Sequence, residues 1–184
     1  MLKHIQNRNI LAVTANRVFN KPILAINAGG AATVKTTAAI DYCIGGIAYQ
    51  KAILSAQALT VDTTAQEAIT GQKTFHTQQA NTTAYLLLVV DKDGNVRCLQ
   101  GLANGQSQVV IGANTIDLGY FKVPKGDGMI PDPNIGQSSE KYCAFGLIKV
   151  ATGATTFLPG TDALDKASVT FTFYDLSAVP GTAP

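Results

Sequence analysis

Hydrophobic and polar positions alternate with a period of two wherever the pattern along the chain is clear. From Ser168 to Tyr174 the sequence SVTFTFY places Val, Phe and Phe on one side and Ser, Thr and Thr on the other. Successive side chains of a strand point to opposite faces, so this segment is predicted to be a half-buried strand. The segment 141–150, KYCAFGLIKV, is apolar on both faces apart from Lys149, which indicates a strand in the middle of a packed sheet.

Two tight turns are predicted from glycine-containing dipeptides between apolar runs. Asp93–Gly94 separates YLLLVV from VRCL, and Gly45–Gly46 separates two runs rich in Ile and Tyr. Glycine adopts positive φ without steric cost, so each dipeptide predicts a β-hairpin. A calcium-binding loop starting at Asp91 is excluded, because the twelfth position, where an EF-hand needs a bidentate Glu, is Leu102.

The predicted fold is therefore all-β, an antiparallel β-sandwich or barrel-like domain with an extended N-terminal arm. Residues 1–30 are assigned to the arm, residues 31–176 to the body and residues 177–184 to a C-terminal tail. The stretch 119–140 is rich in proline and glycine, and we predict it to be a long loop that makes contacts.

Helix signals are weak. Thr64–Ala65–Gln66–Glu67 fits a capping box, which pairs a Ser or Thr at the N-cap with a Glu or Gln three residues later. The predicted helix has one or two turns and ends at Gly71. It is too short to be stable without tertiary contacts.

Composition makes the surface poor in charge. Of the 184 residues, 46% are hydrophobic and 14% are charged, whereas ordinary soluble proteins have roughly 25% charged residues. Such a surface is cheap to desolvate, which favours burial against other subunits, although a sparsely charged monomer is the alternative. The net charge of +2 comes from scattered Lys and Arg, so no nucleic-acid partner is expected. The longest strongly apolar run, 84–90, is too short to span a membrane.

Residues able to carry catalysis are few. Cys43, Cys98 and Cys143 are widely spaced and lack the short-range partners of a zinc or redox motif, so we predict buried free thiols in a reducing compartment. Of the two histidines, His4 falls in the arm and His76 is predicted to lie on the surface. We predict a protein that is not an enzyme and needs no metal or cofactor. A small hydrolase using one of the three thiols is the alternative.

Four segments in the order they occur along the chain carry a resemblance to known proteins. The order GGIAYQKA, TTAYLLLVVDKDGNVRCLQG, FGLIKVATGATTFLPGTDALD and VTFTFYDLSAVP is similar to that of a group of bacteriophage and prophage structural proteins. The resemblance covers roughly Ala39 to Pro180. It implies a capsid decoration or cement protein on the outer surface of the head, made in the bacterial cytoplasm, β-rich and trimeric. The major capsid protein and further copies of the chain are the implied partners; a tail or fibre component, or a receptor-binding one, is the alternative.

Seven apolar residues are the candidates for partner contacts, because they lie among polar or turn residues in the arm and the long loop. They are Ile10, Leu11, Val13, Val18, Phe19, Met129 and Ile130. An arm whose apolar side chains become buried against a partner recovers the entropy lost when the arm is ordered.

Overall fold

The computed structural model describes residues 16–104, 108–111, 113–117, 128–134 and 141–177. Within these ranges the regular structure is antiparallel β apart from one short helix and one isolated parallel bridge. The elements in chain order are β1 (Arg17–Val18), β2 (Leu24–Ile26), β3 (Thr33–Thr36), β4 (Ile40–Ile44), β5 (Ile47–Lys51), β6 (Gln57–Ala58), α1 (Thr63–Thr70), β7 (Thr83–Asp91), β8 (Val96–Gln100), β9 (Gln108–Ile111), β10 (Asn114–Asp117), β11 (Tyr142–Thr152) and β12 (Val169–Asp175).

The largest sheet has four antiparallel strands in the order β12, β11, β7, β8. The apolar run of β7 is buried from Ala84 to Val90, and β11 lies between β7 and β12, as its two-sided hydrophobic pattern predicts. The register between β11 and β7 shifts between Ala144 and Gly146, which marks a β-bulge. A Cβ on Gly146 would lie 2.7 Å from Cδ2 of Leu24, so a larger residue at this bulge would require the Leu24 side chain to move.

Hydrophobic side chains cover both faces of this sheet. One face shares a large core with the smaller sheets β1–β4–β5 and β2–β3–β6, and Tyr42, Phe145 and Phe157 are among its fully buried members. The other face carries a smaller cluster, in which α1 contributes Ala65 and Ile69. The all-β antiparallel sandwich or barrel-like fold predicted from the alternation is confirmed.

Both predicted hairpins are confirmed. β7 and β8 are joined through Asp93–Gly94, where Gly94 has a φ of 77°. The Oδ1 atom of Asp91 accepts hydrogen bonds from the main-chain N–H groups of Asp93 at 2.9 Å and Asn95 at 2.8 Å. This carboxylate therefore stabilises the turn. β4 and β5 meet at Gly45–Gly46, whose φ values of 57° and 82° fit a type I′ turn.

The arm boundary at residue 30 is wrong for residues 16–30. β1 pairs with β4, and β2 pairs with β3. Val18 and Leu24 are 1% and 6% exposed and belong to the main core. Strands of two and three residues are too short to show a recognisable alternation in the sequence. Residues 1–15 lie outside the described residues, so an arm over that range stays a prediction.

The helix predicted before Gly71 is confirmed, but it begins earlier than the capping box indicates. Asp62 is the N-cap, and its Oδ1 atom accepts a hydrogen bond from the Ala65 N–H at 2.7 Å. Gly71 ends the helix with a φ of 75°, the left-handed conformation common at helix C termini. An Asp satisfies the free N–H groups of the first turn as well as a Thr does, so the capping box at Thr64 does not by itself fix the start of the helix.

Part of the long loop 119–140 is described. Its residues 128–134 lie against the body, where the Met129 N–H donates to the Leu102 carbonyl at 2.9 Å. Gly101 allows this close approach, because a Cβ there would lie 1.8 Å from the Met129 carbonyl oxygen. Over this stretch the loop contacts its own chain. Residues 119–127 and 135–140, and residues 178–184 of the tail, lie outside the described residues.

Candidate functional site

The structure describes two of the five predicted contact residues of the N-terminal region. Ile10, Leu11 and Val13 lie outside the described residues. Val18 is buried in the core, so its assignment as a partner contact is wrong. Phe19 points the opposite way, as the next residue of an extended chain does, and it is 38% exposed. The guanidinium carbon of Arg17 lies 5.4 Å from the Phe19 ring centroid, a cation–π contact that holds the ring at the surface.

Met129 and Ile130 lie in the described part of the long loop. Met129 is half-buried, whereas Ile130 is 55% exposed. The hydrogen bond from the Met129 N–H to the Leu102 carbonyl fixes this segment beside the end of β8. Phe19, by contrast, is fixed beside β4, because its N–H donates to the Asp41 carbonyl at 2.8 Å. The two predicted contact regions are therefore anchored to different elements of the body.

Sequence reasoning missed four exposed hydrophobic side chains: Ile23, Ile47, Ile53 and Tyr174. Two of them carry a signal in the sequence. Ile47 directly follows the Gly45–Gly46 turn, and Tyr174 continues the exposed row of Thr170 and Thr172 on β12. Ile23 adopts a φ of 56°, a strained conformation for a β-branched residue that no sequence pattern indicates.

The three cysteines are free and buried, as predicted. Burial raises the pKa of the Cys143 thiol to about 12 and also raises the pKa of the Cys98 thiol. The thiolate is the nucleophilic form of cysteine. Thiols whose pKa is raised in this way stay protonated at neutral pH, which counts against a hydrolase that uses Cys98 or Cys143 as its nucleophile.

The prediction that His76 lies on the surface is wrong, because His76 is fully buried. Its main chain pairs with the side-chain amide of Gln100. The His76 N–H donates to Oε1 of Gln100 at 2.9 Å, and Nε2 of Gln100 donates to the His76 carbonyl at 2.9 Å. An amide side chain offers the same donor and acceptor as a peptide group, so Gln100 substitutes for a neighbouring strand.

The side-chain amide of Gln66 pairs in the same way with the main chain of Gln100. Its Oε1 atom accepts a hydrogen bond from the Gln100 N–H at 2.8 Å, and its Nε2 donates to the Gln100 carbonyl at 3.1 Å. Gln66, Gln100 and His76 are all fully buried. We call these three residues the buried amide chain. It satisfies main-chain groups at the outer edge of β8 and leaves its glutamine amides occupied by structural bonds.

A second buried polar group joins α1 to the start of β11. Oδ2 of Asp62 accepts hydrogen bonds from the Tyr142 hydroxyl at 2.5 Å and from Nζ of Lys141 at 3.2 Å. Burial alone would raise the pKa of the Asp62 carboxyl, but the hydrogen bonds from Ala65, Tyr142 and Lys141 outweigh it and hold the pKa below its usual value. Burial, and then the Asp62 carboxylate, raise the pKa of Tyr142. The Asp62 carboxylate is therefore hydrogen-bonded within the fold and caps α1.

One cavity has a volume of about 440 Å³. Its lining consists of Leu59, Thr60, Val61, Thr74, Phe75, Leu158, Pro159, Gly160 and Thr161. A smaller cavity of about 230 Å³ is formed by residues 51–57. The larger one has hydroxyl groups and apolar side chains in its lining but no acid or base, so it offers no group for proton transfer.

In the part of the chain that the structure describes, no three His, Cys, Asp or Glu side chains form a group that could hold a metal ion. No helix in the same residues has the length and hydrophobicity needed to cross a membrane.

No protein-family model matches the chain, and neither a curated protein nor a solved structure matches it. Any functional conclusion therefore depends on the residues and on the fold they form.

Proposed function

We propose that the chain is a structural protein of a bacteriophage particle, specifically a decoration or cement protein on the outer surface of the head. On this proposal it binds the major capsid protein and associates with further copies of itself. One observation carries the proposal: the chain is poor in charge, with 14% charged residues, while the cysteine and histidine side chains that the structure describes are enclosed in the fold. The three thiols and His76 are buried.

Low charge favours contact with other proteins, because few ions have to lose their hydration when the surface is covered. Phe19 and Ile130 expose hydrophobic area from backbone that is fixed to different parts of the body. Side chains held by rigid backbone lose little further freedom on binding. A body with such contact points is suited to bridging neighbouring subunits of a shell.

The N-terminal residues extend the reach of this body. Because β1 begins at Arg17, the arm proposed here is limited to residues 1–15. Fully extended, fifteen residues span about 50 Å. Ile10, Leu11 and Val13 lie in this range and are the proposed anchoring side chains.

Deletion of residues 1–15 tests the arm. We expect the shortened protein to keep the urea unfolding midpoint of the intact chain, since the described strands begin beyond the deletion, and to lose its binding to phage heads. Occupancy is measured by co-sedimentation with heads that lack the protein. An unchanged occupancy would show that the arm has no part in binding.

The two body contacts are tested separately with Phe19→Ser and Ile130→Ser. Both side chains are exposed, so we expect weaker head binding at an unchanged unfolding midpoint. Gln50→Ser, at another exposed position, is the matched control. Immunogold electron microscopy of intact particles then locates the protein. Labelling confined to the tail would refute the head assignment and favour the tail or fibre alternative.

A further inference from the structure

The two edge strands of the largest sheet, β8 and β12, differ in whether their outward main-chain groups have hydrogen-bond partners. At the β8 edge, the Cys98 N–H donates to the Thr60 carbonyl at 2.8 Å, and Val61 forms a parallel bridge with Cys98. The Gln66 side chain of the buried amide chain completes the cover at Gln100. Edge strands with free main-chain groups pair readily with other strands, and proteins commonly block them. The β8 edge is blocked in this way.

Within the described ranges, the β12 edge has no such cover. Gly153 N–H donates to the Ser168 carbonyl, and Leu176 N–H donates to the Phe145 carbonyl. In an antiparallel pair, the main-chain groups of successive residues point alternately toward and away from the partner strand. Since Ser168 and Leu176 bond on the β11 side, every second residue between them also points toward β11, and the main-chain groups of Phe171 and Phe173 point away from it. Among the described residues, no hydrogen bond reaches these outward groups.

β12 also lacks the features that normally protect an edge. Its sequence VTFTFYD contains no Pro and no Lys, and its pairing with β11 runs without a bulge. The one charged residue is Asp175 at the end of the strand, and Oδ1 of Asp175 already accepts the Leu24 N–H at 3.0 Å. Val169, Phe171 and Phe173 are half-buried against the core, so an added strand would cover their remaining exposed area.

We propose that β12 pairs antiparallel with β12 of a second copy of this chain, around a two-fold axis at Thr172. In this register Phe171 of one copy lies opposite Phe173 of the other, and Thr172 lies opposite itself. Aromatic pairs and Thr–Thr pairs stabilise neighbouring strands. The two Asp175 carboxylates fall at opposite ends of the paired strands. The two four-stranded sheets then form one continuous sheet across the interface.

Two neighbouring registers also pair outward groups, with axes at Phe171 and Phe173, but each pairs only five residues of β12 with one another, whereas the Thr172 axis pairs all seven. The Phe173 axis also places Phe171 opposite Asp175 of the second copy, which sets an apolar ring against a carboxylate. The Thr172 axis avoids this pairing, so charge placement favours it. Two-fold pairing predicts a dimer, whereas the virion resemblance implies a trimer, and the two are distinguished by mass.

Light scattering of the full-length protein at increasing concentration is the first test, and a dimer is expected. Thr172→Lys and Thr172→Glu each place like charges opposite one another, and we expect each to weaken dimerisation about fivefold. An equal mixture of the two variants should restore dimers, because opposite charges then meet. Gln50→Lys, an exposed change on β5, which is an edge strand of a different sheet, should have no effect.

Cross-linking tests the register. Residues opposite one another at a position without main-chain hydrogen bonds have Cα atoms about 4.5 Å apart, within the range that a disulfide spans. Thr172→Cys should therefore give a disulfide-linked dimer under mild oxidation, whereas Thr170→Cys, opposite Tyr174, should give none. The native thiols are buried and should not interfere.

Four results would overturn the proposal: a monomer at all concentrations, a trimer, a dimer equally sensitive to Gln50→Lys, or a dimer that Thr172→Cys does not cross-link. A monomer that binds heads through β12 would show that a capsid strand takes this edge.

Discussion

Replacing Gln100 with Met gives a sharp test of the buried amide chain. Methionine has a similar length and fills the same space, but it can neither accept from the His76 N–H nor donate to the His76 carbonyl. The structure records both bonds at 2.9 Å. A buried main-chain group without a partner costs about 1–3 kcal/mol, so two such groups should lower the free energy of unfolding by about 2–6 kcal/mol. This is a large fraction of the roughly 5–15 kcal/mol that stabilises a typical domain.

Urea unfolding of Gln100→Met and of the unchanged protein measures this difference directly. Gln79→Met is the matched control, because Gln79 is exposed and its replacement should change stability by less than about 0.5 kcal/mol. Gln66→Met tests the same principle at the other end of the chain, since it leaves the Gln100 N–H and carbonyl without an amide partner. If Gln100→Met unfolded at the same urea concentration as Gln79→Met, the pairing would contribute nothing.

Four further predictions concern single sites. Asp62→Asn should destabilise the protein at pH 7. Because the folded-state pKa of Asp62 is lowered, its contribution to stability is present above the unfolded-state pKa of about 4 and is lost as pH falls through the folded-state pKa. The unfolding midpoints of the two proteins in urea should therefore converge at acid pH. The three cysteines should react with a thiol reagent only after denaturation, and reaction in the native state would contradict their burial. Gly101→Ala should displace residues 128–134 and cost about 1–3 kcal/mol, detected as faster proteolysis there. Ile23→Asn should raise stability by about 1 kcal/mol, because Asn tolerates a left-handed φ better than Ile, and a lower urea midpoint would contradict this.

Features set by neighbouring residues could be predicted from the sequence. The Asp93–Gly94 and Gly45–Gly46 turns depend on the φ values that glycine allows, and β12 depends on strict alternation over seven residues. Each of these is specified within a short window of sequence.

Features set by distant residues could not be predicted. His76 is buried because Gln100, 24 positions away in sequence, pairs with its main chain. β1 and β2 exist because β4 and β3 pair with them. Of the candidate contact residues, Phe19 and Ile130 are exposed, but Val18 is buried, since the direction of each side chain in a two-residue strand depends on a distant partner strand.

Ile23 connects the fold to the proposed contact surface. Its backbone is fixed from both sides: the Pro22 carbonyl accepts hydrogen bonds from the N–H groups of Thr37 at 3.0 Å and Ala38 at 3.2 Å, and the Leu24 N–H binds Asp175. These bonds hold Ile23 at a φ of 56°, which costs an L-residue about 1–2 kcal/mol. With 54% of its surface exposed, the Ile23 side chain contributes little to the core of the monomer. On the proposed function, burial of this side chain against the shell would offset the cost of the strained backbone.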